Sequence, residues 1–137
     1  MRYLLDTDIC IYVIKGTHIA AIAAHMDRLH IGDCGVSVIT LHELLFGAYK
    51  SQAVEKNTRM VQKMLRPLRK VPFDEVCAER SARIRAELAR QGMPVGLMDL
   101  QIAATALAHD LTLVSNNTQE FGRIAGLRVE NWTLPPS

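Results

Sequence analysis

Three acidic residues in this chain are placed where oxygen ligands could gather: Asp6, Glu43 and Asp99. Asp6 ends the short apolar run Arg2 to Leu5 and is followed by Thr7 and Asp8. Glu43 lies one turn beyond a second apolar run, Gly35-Val-Ser-Val-Ile39, and Asp99 opens an alanine-rich segment behind Pro94-Val-Gly96. A polar trio, Ser115-Asn116-Asn117, closes a further run that starts at Leu111. Hard cations such as Mg²⁺ and Mn²⁺ take oxygen ligands. Held among carboxylates, such a cation acidifies water and neutralises charge building on a phosphodiester.

Each residue also has a plainer reading. Asp and Thr favour helix N-caps, so Asp6 and Asp99 fit helix starts. Thr40-Leu-His-Glu43 fits a capping box, with Thr40 as the cap and Glu43 bonding back to its N–H. A helix N-terminus stabilises a carboxylate, which predicts a low pKa for Asp99. Asn-Asn is a common turn. Distance separates the two readings: acids used only as caps would lie far apart, whereas ligands must converge.

The elements that would position them can be read from periodicity. Arg2 to Leu5 predicts a buried first strand, followed by a helix through Ile14 that stops at Lys15-Gly16. Helical patterning resumes from Thr17 to about Leu29, and Gly35 to Ile39 predicts a second strand. A helix follows from Thr40, and another spans Ser51 to Leu65. A brief strand near Lys70-Val71 precedes a long helix from about Asp74 to Arg90, which Gly92 ends. Met98 to His109 forms the alanine-rich helix, Leu111 to Ser115 a buried strand and Leu127 to Glu130 a last one. Strands alternating with helices predict an α/β fold, a parallel sheet covered on both faces. Sites in such sheets lie beyond the carboxyl ends of the strands, where Asp6 and Ser115 fall.

Composition narrows the setting. The 137 residues fit one domain, 49% hydrophobic and 22% charged, an ordinary globular balance. No apolar run reaches the length of a membrane span, and the start MRYLLDTD meets a charge too early for a signal core, which predicts a cytoplasmic protein. Three cysteines (Cys10, Cys34, Cys77) without a CxxC pair predict reduced thiols. The histidines show neither HExxH nor paired Cys/His spacing, which argues against a zinc centre. The net charge of +2 is unevenly spread: Lys50, Lys56, Arg59, Lys63, Arg66, Arg69 and Lys70 face only Glu55 in their stretch. That stretch is either a solvated face or a surface for a phosphate backbone or a partner. Asp6-Thr-Asp8 also fits the start of an aspartate-nucleophile phosphatase, but that motif needs Thr or Val where this chain has Cys10.

Four segments in order resemble the PIN-domain ribonucleases and, within them, the VapC toxins of type II toxin–antitoxin systems. They are Leu4-Leu-Asp-Thr-Asp8, Ser37 to Ala48, Pro94 to Ala104, and Thr112 to Phe121. Ile84 to Arg90 and Glu130-Asn-Trp132 are similar to enteric-type members. The resemblance implies a single PIN domain over residues 1–137, a three-layer α/β/α sandwich around a short parallel sheet. It implies Asp6, Glu43 and Asp99 as metal ligands for Mg²⁺ or Mn²⁺, with Ser115 and Asn117 completing the catalytic set. The wider family's fourth acid falls on the neutral Asn117, which implies one firmly held metal rather than two. The implied activity is endonucleolytic hydrolysis of RNA, by resemblance the initiator tRNA anticodon stem-loop, which would inhibit translation. The implied partners are a second copy of the chain and a VapB-like antitoxin that blocks the groove and carries the pair onto operator DNA. A PIN-like module that binds RNA or protein without cutting it is the non-catalytic alternative.

Overall fold

Leu4 and Leu5 are neighbours in sequence yet serve different cores, because successive side chains of a strand leave opposite faces of the sheet. In the computed structural model, which describes residues 1–137, they belong to β1 (Tyr3–Leu5). The other strands are β2 (Cys34–Ser37), β3 (Arg69–Val71), β4 (Thr112–Val114) and β5 (Val129–Glu130). All pair in parallel, in the order β3-β2-β1-β4-β5, so β1 lies at the centre. The predicted parallel sheet is therefore present, with the first strand as its axis.

One face carries α1 (Thr7–Lys15), α2 (Ile19–Met26), α3 (Val38–Tyr49) and α4 (Val54–Leu65). Leu5, Ile9, Ile22, Val36, Leu44 and Leu65 close that core. The other face carries α5 (Glu75–Arg90) and α6 (Leu97–Ala108), with Leu4, Leu88, Leu100, Ile102 and Leu113 between them and the sheet. A short α7 (Thr118–Phe121) follows β4 and contributes the buried Phe121 to the same core. Ala103, Ala104 and Ala106 of α6 are fully buried, so their small side chains let the helix approach both its sheet and α5. No single helix is long and apolar enough to cross a membrane.

Local chemistry sets the boundaries. Gly16 takes φ +76°, and its N–H reaches the carbonyls of Tyr12 and Val13, which stops α1 where the sequence places the break. Asp74 caps α5 by accepting from the Cys77 N–H at 3.1 Å. The start of α3 corrects the reading of Thr40. β2 ends at Ser37 rather than Ile39, and the Ser37 hydroxyl accepts from the Ile39 N–H at 2.8 Å, so Ser37 is the cap. Thr40 is buried inside the first turn, and there is no Thr40–Glu43 capping box. Gly35 of β2 leaves no room for a larger residue: an added Cβ would stand 2.8 Å from the Arg69 carbonyl oxygen of β3.

Candidate active site

Asp6 sits at the carboxyl end of the central strand, where its backbone N–H still donates to Val114 of β4 at 2.9 Å. Its side chain is 4% exposed. One carboxylate oxygen accepts from the Thr7 N–H at 2.8 Å and the other from the Ser115 hydroxyl at 2.8 Å. Ser115, just past the end of β4, is fully buried, so the neighbouring strand supplies a fixed donor to the acid of the first. Asn117 donates its backbone N–H back to the Ser115 oxygen at 2.9 Å, which orients that hydroxyl.

Glu43 is drawn to the same edge from α3. Thr7 donates its hydroxyl to Glu43 Oε1 at 2.7 Å. A hydroxyl has one hydrogen, so in the 3.0 Å contact between Thr7 and Thr40 it is Thr40 that donates. Thr40, read from sequence as a cap, thus supports the residue that holds Glu43. Asp99 stands half-buried in the first turn of α6, and its carboxyl is pushed up to about 6. Burial is the main cause, followed by the charges of Glu120, Glu43 and Asp8. The low value expected from the helix N-terminus is overridden, because desolvation and like charge outweigh a partial dipole. Asp6 is pushed further, to about 8, first by burial and then by Asp8, against the lowering effect of Ser115 and Thr7.

Two further acids join this cluster: Asp8, which the sequence places directly after Asp6 and Thr7, and Glu120, which sequence reading did not single out. Asp8 accepts from the Asn116 N–H at 3.0 Å through one oxygen, while its other oxygen is buried without a hydrogen-bond partner. Glu120 accepts from the Asn117 side-chain amide at 2.7 Å and from the Gly96 N–H at 3.2 Å. Asn117, expected to stand in for a fourth acid, instead holds one three residues further along the chain. The available signal was the spacing Asn117-x-x-Glu120 at the start of α7, one helical turn.

The acids therefore converge and are not merely scattered helix caps. Gathering buried carboxylates is unfavourable unless protons or a cation compensate them. The orphaned Asp8 oxygen, the raised Asp6 and Asp99 carboxyls and an all-oxygen donor set fit a hard divalent cation. The cluster is wider than a closed cage: the one set of three Asp, Glu, His or Cys ligand atoms lying mutually within 4.8 Å is elsewhere, at Asp74, Cys77 and His109. An open cluster suits Mg²⁺, which dehydrates reluctantly and usually keeps several waters.

Residues 3–127 match the PIN domain family. The tRNA(fMet)-specific endonuclease VapC of Shigella flexneri is 41% identical over 133 residues, covering 97% of this chain and 99% of that protein. The chain belongs to the VapC branch of the PIN-domain family. The solved DNA-bound VapBC complex of Salmonella typhimurium contains a chain 40% identical, with a TM-score of 0.88 over 96% of this chain and 98% of that one. VapBC-1 of nontypeable Haemophilus influenzae gives a TM-score of 0.89 at 32% identity, covering 98% of this chain and all of that one. Membership of this family bears out the three-layer fold and sets aside the phosphatase alternative, whose required position is occupied by the buried Cys10.

The basic stretch divides. Lys70 donates to the carbonyls of Leu65 at 2.6 Å and Leu68 at 2.9 Å, so its charge is spent on the end of α4. Lys50 lies over the Phe46 ring. Lys56, Arg59 and Lys63 remain exposed along α4, and Arg66 at its C-cap.

Proposed function

We propose that this chain is a toxin-type endoribonuclease that hydrolyses RNA phosphodiesters with a divalent cation, Mg²⁺ or Mn²⁺, held by Asp6, Glu43 and Asp99. The observation that carries the reading is the buried Asp6 carboxylate, pinned by Ser115 and Thr7 among acids it repels. When bound, the cation supplies positive charge to phosphate oxygens and lowers the pKa of water. The protein's own residues do the positioning. Ser115 and Thr7 fix the two oxygens of Asp6, Thr7 and Thr40 hold Glu43, and Asn117 with Gly96 holds Glu120 beside Asp99. Asp6 would have to lose its proton to solvent to hold a cation, so cation affinity should rise with pH.

The name of the Shigella relative supports initiator tRNA as substrate, and the VapBC complexes support a VapB-like antitoxin that covers the groove. A cytoplasmic homodimer completes the reading, as the family resemblance implies. The test is to incubate the purified chain with initiator and elongator tRNAs and map the new 5′ ends. Cleavage of the initiator species with Mg²⁺ or Mn²⁺, abolished by chelation and by Asp6→Asn, is the expected result. Cleavage by folded Asp6→Asn would overturn the site. Metal-independent cleavage would overturn the cation, and tight RNA binding with no cleavage would favour the non-catalytic module.

A further inference from the structure

α5 and α6 pack side by side in opposite directions, so the start of one meets the end of the other. Asp74 caps α5, Cys77 lies in its first turn and His109 caps the far end of α6. A carboxylate oxygen, the thiol sulfur and a ring nitrogen from these three residues all lie within 4.8 Å of one another. They lie outside the acidic cluster described above. His109 is ten residues beyond Asp99 on the same helix, about 15 Å along its axis at 1.5 Å per residue. Cys77 is fully buried, whereas Asp74 and His109 are exposed, so a soft ligand forms the floor and two movable ligands form the rim.

The local bonds leave each ligand atom available. Asp74 spends Oδ1 on the Cys77 N–H and keeps Oδ2. Cys77 Sγ makes a long contact, 3.7 Å, to the Pro72 carbonyl and lies within side-chain reach of the Asp74 carboxylate and the Thr105 hydroxyl, weak thiol contacts that a metal bond would replace. Asp74 and Cys77 alone would be an ordinary capped helix start; the imidazole brought from a second helix changes the set. We propose that Asp74, Cys77 and His109 form a three-ligand site for a divalent transition metal of the zinc type, with solvent in the fourth position. Thiolate and imidazole select zinc-like ions over Mg²⁺, the reverse of the all-oxygen cluster at the other end of α6. Zinc bonds of roughly 2.0–2.3 Å place tetrahedral ligand atoms about 3.3–3.7 Å apart, so the side chains need draw in by at most about 1 Å. Exposed Asp74 and His109 have the rotamer freedom to do so. Binding releases one proton: the Cys77 S–H bond breaks, its electron pair forms the sulfur–metal bond and the proton goes to solvent. The ion ties the start of α5 to the end of α6. The spacing argument against zinc applies to contiguous motifs, whereas here the third ligand comes from a different helix.

The test is a Co²⁺ titration of the purified full-length chain with excess Mg²⁺ present to compete at the carboxylates. The expected result is a near-ultraviolet thiolate-to-cobalt charge-transfer band that saturates at one equivalent and is displaced by Zn²⁺. Cys77→Ser should abolish the band, and His109→Ala, an exposed change that keeps the fold, should weaken binding tenfold or more. Absence of the band would overturn the proposal, and so would Co²⁺ binding with only carboxylate-type spectra. A band of unchanged affinity in His109→Ala would overturn it as well, whatever the folding of Cys77→Ser.

Discussion

The two ends of α6 make a natural experiment in electrostatics. At its start, Asp99 shares a half-closed space with Glu43, Glu120 and Asp8, and its carboxyl rises to about 6. At its end, His109 stands in solvent near one buried sulfur and one carboxylate. The first environment stores repulsion that only a proton or a hard cation relieves. The second stores none, since imidazole and thiol are both neutral when unprotonated and protonated respectively. One helix thus carries a strained end and a relaxed one, and the proposed catalytic site lies at the strained end, where charge has the most to gain from compensation.

The contrast can be broken most forcefully at Asp6. Asp6→Asn should cut RNA cleavage by at least about a hundredfold, the loss expected when several kcal/mol of charge stabilisation disappear. Initial rates on one RNA, with circular dichroism to confirm folding, measure it. Ser115→Ala removes the hydroxyl that orients Asp6, and a drop of about 10–100-fold is expected in the same assay. Glu120→Gln keeps the shape and the bond to Asn117 through the amide oxygen but removes a charge; Mg²⁺ affinity, read by calorimetry, should fall by about tenfold.

Stability against pH sharpens the comparison further. Asp6 and Asp99 hold protons more tightly folded than unfolded, where a carboxyl titrates near 3.8. Their contribution is therefore full below about pH 4 and is lost as pH rises through about 6 and about 8. Denaturation midpoints of the metal-free protein should decline across that window, and saturating Mg²⁺ should flatten the decline. The smallest effect is expected from Asp8→Asn. With less repulsion on Asp6, the metal-free protein should gain stability at neutral pH while Mg²⁺ binding weakens. A variant that loses both would show that Asp8 serves packing and not charge.

Much of the frame could be read from residue pattern because it rests on local physics. Leu4-Leu5 reads as a buried strand, Gly16 as a stop and Asp74 as the start of a helix, and each does that work. Asp6, Asp99 and Ser115 fall at strand or helix ends, where the parallel sheet collects them, and Glu43 reaches the same edge from the middle of α3. Thr40 was misread because Ser37, three residues earlier, is an equally good cap, and only the length of β2 decides between them. Glu120 was missed because the Asn117-x-x-Glu120 spacing is weak alone, and Gly96 and Asp99 reach it only in three dimensions. The pKa of Asp99 was misjudged for a related reason: a helix start is visible in sequence, but three neighbouring acids from other elements are not.

The paired leucines of β1 have a further consequence for how the site can open. Because Leu4 and Leu5 anchor the strand in separate cores, no single layer can peel away and leave β1 free. Hydrogen exchange at the Asp6 amide, bonded to Val114, should therefore require nearly global unfolding. On this reading the proposed metal-binding carboxylate is built into the central strand, so an inhibitor would have to cover it from outside rather than pull it out of shape.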